Sequence, residues 1–99
     1  MSQNSMRVVA RITALPGKEK ALEAVLTALV APTRDEPGCL GYQLLRHESD
    51  ATEFTFVEEW RDNVAIDAHF ETPHLKTALQ QAAELLACAP DIRRYRVLL

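Results

Sequence analysis

The stretch Glu53-Phe54-Thr55-Phe56-Val57-Glu58-Glu59-Trp60 carries the reading of the fold. Side chains of a strand alternate between its two faces. Phe54, Phe56 and Trp60 therefore share one face, and Thr55 and Val57 share the other. The aromatic face predicts a buried side. Directly after this strand, which is read to Arg61, Asp62 stands where it can cap a short helix through Ile66, His69 and Phe70. Thr72-Pro73 then restarts the chain, as the cap and first helical residue of a longer helix. Leu75, Ala78, Leu79, Ala82 and Leu86 mark the buried face predicted for that helix, and Pro90 closes it.

Moving outward, residues 6–15 set Val8, Ala10 and Ile12 against Arg7, Arg11 and Thr13, a strand pattern broken by Pro16-Gly17. Leu22, Val25, Leu26, Leu29 and Val30 follow at helical spacing, and Pro32 ends or bends that helix. After the Pro37-Gly38 turn, residues 39–47 read as a strand with Leu40, Tyr42 and Leu44 on one face. Residues 48–52 form a polar hairpin loop, and residues 91–99 a last strand. The order strand, helix, strand, strand, helix, strand is the split βαβ pattern. It predicts an α+β, ferredoxin-like domain with a four-stranded antiparallel sheet and helices on one face. The second face would hold Val9, Cys39, Leu45, Thr55 and Val57 beside Arg11, Gln43 and Glu59. That face is too apolar for water and too mixed for a closed core, so a second copy of the chain is expected to cover it.

The chain has 99 residues, which predicts one domain over 1–99 with residues 1–5 as a disordered tail. A core this thin leaves room for a partner subunit to complete it. The net charge of -3 argues against a polyanion partner. Arg93, Arg94 and Arg96 do cluster, but Tyr95 and Val97 to Leu99 sit among and after them and read as a strand, so no nucleic-acid binding is expected. No apolar run approaches the ~20 residues that span a bilayer, and the opening residues lack a secretory pattern. A cytoplasmic protein without membrane contact is the expectation. Cys39 and Cys88 match no metal motif and are expected as free, mostly buried thiols.

The residues with chemistry cluster around a strand-to-helix junction. His69 shares a helical stripe with Ile66 and points toward the sheet or a cavity under it. It is either a core histidine satisfied by one hydrogen bond or a ring that meets a substrate. His74 lies in the first turn of the last helix, where the positive end of the helix dipole disfavours imidazolium. It either bonds a neighbouring loop or accepts a proton from a phenol. Trp60, Phe56 and Tyr42 are core residues or the walls that hold a flat ring. The two histidines are five apart across a helix break, without an evident third ligand, so no metal site is expected.

Several segments together resemble a family. Glu58-Glu59-Trp60, the run Ala68-His69-Phe70-Glu71-Thr72-Pro73-His74, the Pro16-Gly17 turn and Glu36-Pro37-Gly38-Cys39-Leu40-Gly41-Tyr42 are similar to the signature of antibiotic biosynthesis monooxygenase (ABM) domains, most of all the small quinol monooxygenases. The resemblance covers nearly the whole chain. It implies a ferredoxin-like unit that pairs sheet to sheet into a homodimeric α+β barrel. It also implies oxidation of a small quinol or polyphenol by molecular oxygen, with no cofactor. His74 or His69 would take the phenol proton, and Trp60, Tyr42 and Phe56 would hold the ring. The haem-degrading branch of the superfamily fits less well, because its axial histidine would fall near Leu79 and its strand-one asparagine near Ala10. Two other readings stand beside this one. They are a small-metabolite isomerase of the same fold, and a non-enzymatic dimeric binder of small aromatic molecules.

Overall fold

The computed structural model describes residues 5–99. Four strands and four helical segments follow one another as β1 (Met6–Thr13), α1 (Glu19–Ala28), α2 (Val30–Arg34), β2 (Cys39–Arg46), β3 (Glu53–Trp60), α3 (Asn63–Phe70), α4 (Pro73–Ala82) and β4 (Asp91–Arg96). The sheet order is β2-β3-β1-β4, with every neighbouring pair antiparallel. This is the expected ferredoxin-like α+β layout. Of the tail predicted over residues 1–5, residues 1–4 lie outside the described part. Ser5 is buried, and its hydroxyl bridges Arg7 and Glu59.

The helices cover one face of the sheet. Met6, Val8, Ala10 and Ile12 of β1 lie beside Phe54, Phe56 and Trp60 of β3 to form the core, with Leu22 and Leu26 of α1 and Leu75 and Ala78 of α4 above them. The opposite face carries Val9, Thr55 and Val57, half-buried, with Leu45 exposed. Its ion pairs, Arg7–Glu59 at 3.3 Å and Arg11–Glu53 at 3.4 Å, sit among those apolar side chains.

Five sequence expectations need correction. The helix α4 ends at Ala82 rather than running on to Pro90, and Leu86 lies beyond it in a β-bridge with Ala14. Leu40 does not share a face with Tyr42: Cys39 pairs with Trp60 and Gly41 with Glu59, so Leu40 is the extra residue of a β-bulge and lies exposed. The same bulge brings Cys39 to the helix-covered face, against the core, rather than to the open face. Cys88 is exposed rather than buried, because the chain after α4 runs over the surface. Leu79 is 43% exposed, at the edge of the face predicted for α4. The break between α1 and α2 falls at Leu29. A proline ring clashes with the carbonyl four residues back, and for Pro32 that residue is Ala28, the last of α1.

Candidate active site

Three segments converge at one end of the covered face. The α2–β2 turn brings Glu36, α3 brings His69 near its end, and the first turn of α4 brings His74. Each placement has a local cause. Asp62 accepts a hydrogen bond from the Ala65 backbone at 2.9 Å and starts α3. Thr72 accepts from the Leu75 backbone at 3.4 Å and donates to the His69 carbonyl at 2.7 Å, so one side chain ends α3 and starts α4. Gly38 adopts a left-handed backbone with φ of 86°, and a methyl group on it would meet the Ala65 Cβ at 2.6 Å. The turn carrying Glu36 can therefore lie directly on α3.

Glu36 Oε2 is 2.7 Å from His69 Nδ1 and 2.6 Å from His74 Nε2. A carboxylate only accepts, so both imidazole nitrogens donate to it. The neutral tautomers follow: His69 carries its proton on Nδ1 and His74 on Nε2. Among the described residues nothing bonds the Nε2 of His69, whose ring lines an apolar cavity. Side-chain exposure climbs along the chain of bonds, from 4% at His69 to 9% at Glu36 and 25% at His74. The three groups thus connect the interior to the surface. Burial pulls the His69 imidazole below its usual range, an effect that the Glu36 hydrogen bond and charge oppose and the neighbouring His74 adds to.

The cavity lies between the sheet and the helices and encloses about 50 Å³. Its polar side chains are Tyr42, Glu58 and His69, and the remaining walls are apolar, among them Phe56, Leu29 and Leu75. Tyr42 stacks on Phe56 with ring centroids 4.7 Å apart. Burial, chiefly, and the nearby Glu58 charge push its phenol well above the usual tyrosine range, so the hydroxyl stays a neutral donor. Glu58 is buried, and its carboxylate accepts the Trp60 indole N–H at 2.8 Å. Burial pushes the Glu58 carboxyl up to about 7; the indole bond works against that rise and the Glu36 charge adds to it.

The residues singled out from sequence fall into two groups. His69, Tyr42 and Phe56 line the cavity. Trp60 and His74 do not. Trp60 is fully buried behind His69, at 4.8 Å between ring centroids, and gives its N–H to Glu58. His74 lies beyond Glu36, 6.3 Å from the His69 ring. Two carboxylates were missed. Glu58 shares strand parity with Phe54 and Phe56, so the alternation alone placed it on the covered face. For Glu36 the only cue was the turn beside it. Ala10 and Leu79, the positions compared with haem contacts, both line the cavity and offer no donor atom.

Residues 5–81 match the family described as Antibiotic biosynthesis monooxygenase. The chain belongs to this family. Among curated proteins, it is 38% identical over 79 residues to "Putative monooxygenase Rv0793" of Mycobacterium tuberculosis, a match covering 80% of this chain and 77% of that protein. It is 32% identical over 90 residues to the Synechocystis protein sll1783, covering 91% of this chain but only 61% of the length of that relative. The crystal structure of PA3566 from Pseudomonas aeruginosa superposes with a TM-score of 0.92 at 36% identity, covering 100% of this chain and 99% of that one.

Proposed function

We propose that this ABM protein is a cytoplasmic, homodimeric monooxygenase that oxidises a small quinol or polyphenol with molecular oxygen and no cofactor. The observation that carries the reading is the two-sided setting of His69. Its Nδ1 proton is held by Glu36, while its Nε2 is left as an acceptor on an apolar cavity. A carboxylate behind an imidazole fixes the tautomer and stabilises the imidazolium that forms when the ring takes a proton. His69 removes the phenol proton, and the Glu36 carboxylate, itself held by the His74 N–H, balances the imidazolium charge that results. Tyr42 donates to the substrate oxygen, and Phe56 faces the ring.

The resulting phenolate is electron-rich and sheltered from water. Its ring carbon bonds to oxygen. One oxygen atom stays on the ring and the other leaves as water, with the hydroquinone supplying all the electrons and ending as a hydroxyquinone. Cavities that hold a benzene ring are of order 150 Å³, larger than the space here. The exposed side chains Leu79 and Ile92, both cavity-lining, are the ones with room to swing outward for a ring. The half-apolar second face of the sheet supports a second copy packed against it, with Arg7–Glu59 and Arg11–Glu53 at the seam.

The test uses metal-free protein in an oxygen electrode. With hydroquinones, uptake should exceed the autoxidation blank, and sedimentation should give twice the chain mass. No excess uptake across a panel of quinols and polyphenols removes the oxygenase reading. Turnover in the absence of oxygen transfers the site to isomerase chemistry.

A further inference from the structure

We propose that Glu36, His69 and His74 form a binding site for a single zinc-class divalent ion, and that its occupancy reverses the tautomer of His69. Two nitrogens and a carboxylate oxygen lie within 4.8 Å of one another, and the two nitrogens converge on a common point. At present the shared Oε2 occupies that point, at 2.7 Å from His69 Nδ1 and 2.6 Å from His74 Nε2. Zinc bonds to imidazole nitrogen and carboxylate oxygen are about 2.0–2.2 Å long, which sets tetrahedral donors roughly 3.3 Å apart. Withdrawing the carboxylate by one bond length and drawing the imidazoles inward makes that space.

The donor set decides the class of ion. Two imidazoles and one carboxylate suit zinc, cobalt, nickel and copper, whereas magnesium and calcium want oxygen throughout. Three protein ligands leave a fourth position for water. The surroundings favour a preset site. The His69 ring is packed by Trp60 at 4.8 Å and Phe70 at 5.6 Å, and Glu36 is held by the Gly38 turn. His74, the most exposed of the three, is the side from which an ion enters.

The site lies behind His69, since neither Glu36 nor His74 lines the cavity. An ion there holds Nδ1 of His69, so the ring's single proton must move to Nε2. His74 changes the opposite way, from Nε2–H to Nδ1–H. Neither change alters the net proton count. In the occupied protein the cavity therefore meets a donor at His69 in place of an acceptor. The binding claim stands independently of the oxygenase reading; a further outcome that rests on that reading is loss of hydroquinone-dependent oxygen uptake when zinc is bound.

Chelator-stripped full-length protein is titrated with cobalt(II), followed by its visible d–d bands, and with zinc(II), followed by calorimetry and by imidazole nitrogen chemical shifts. The expected result is one ion per chain. On zinc addition His69 should pass from the Nδ1–H to the Nε2–H form, and His74 the reverse. Glu36→Gln and His74→Ala should each weaken binding by more than ~100-fold, while His47→Ala, at the exposed hairpin histidine, should leave it unchanged. Circular dichroism of each variant verifies that it is folded. Absence of stoichiometric binding overturns the proposal. So does binding that persists in both Glu36→Gln and His74→Ala, or zinc binding with the tautomers unchanged. If zinc binds as expected and oxygen uptake was never detectable, the site stands and the oxygenase reading fails alone.

Discussion

Two carboxylates withdrawn from water, one on a turn and one on a strand, live in opposite ways. Glu36 sits on a turn and receives two imidazole N–H bonds. Glu58 sits mid-strand and receives one indole N–H bond, with burial raising its carboxyl to about 7. Both are ionisable groups taken from water, a loss that hydrogen bonds offset. Two donors converging on one oxygen fix the Glu36 carboxylate in place, whereas a single donor leaves burial to dominate at Glu58. Glu36 has the environment of an anchor. Glu58 has that of a group poised to titrate near neutrality.

The comparison can be broken most forcefully at the turn. Gly38→Ala adds a methyl group 2.6 Å from the Ala65 Cβ on a left-handed backbone. It should cost about 3 kcal/mol in urea unfolding and move Glu36 away from both histidines, with Glu58 untouched. A variant as stable as the parent would show that the turn does not fix the anchor.

The next effect is of similar size and opposite origin. The Glu58 carboxyl rises from 4.5 to about 7 on folding, so the folded chain holds a proton that the unfolded chain releases. Its contribution is complete below pH 4.5 and is lost as pH rises through about 7. The loss is on the order of 3 kcal/mol, from ~1.36 kcal/mol per pH unit. Glu58→Gln keeps an acceptor for the Trp60 indole and should remove this decline, measured by denaturant unfolding at several pH values. His69, whose imidazole is pulled down by burial, acts in the other sense. Its contribution is present above the ordinary value of 6.5 and is lost as pH falls below it. His69→Gln should therefore steepen the net decline with rising pH. Slopes unaltered by either change would dissolve the contrast.

Activity sharpens the comparison. His69→Gln should lower hydroquinone-dependent oxygen uptake by ~100-fold or more, since general-base groups contribute on that scale. Glu36→Gln should follow it in direction, whereas Tyr42→Phe should raise KM more than it lowers kcat. The smallest effect belongs to the cap that joins α3 to α4. Thr72→Ala removes bonds to Leu75 and His69 and should cost about 1 kcal/mol, read as a lowered Tm.

Much of this architecture was legible before any coordinates. The alternation in β1 and β3, the caps Asp62 and Thr72, and the turns at Pro16-Gly17 and Pro37-Gly38 all act over a few residues, so their signals are local. The errors came where a neighbouring strand decides, as at Leu40 and Cys39, or where the chain leaves a helix, as at Cys88. The bulge at Leu40 depends on how β2 registers against β3, and it alone moved Cys39 to the covered face. The site was half legible for the same reason. His69 and His74 drew notice by their chemistry, yet their partner lies 33 and 38 positions away along the chain.

Periodicity and capping are properties of short segments, so the chain's own residues set the strands, the helix starts and which aromatic side chains face inward, though not where α4 stops. Only the tertiary structure decided that one carboxylate holds both imidazoles, that Trp60 supports Glu58 without touching the cavity, and that His69 alone of the histidines meets it. The physical reason is range: a hydrogen bond needs atoms within about 3 Å, and folding alone sets that separation for residues so far apart in the chain.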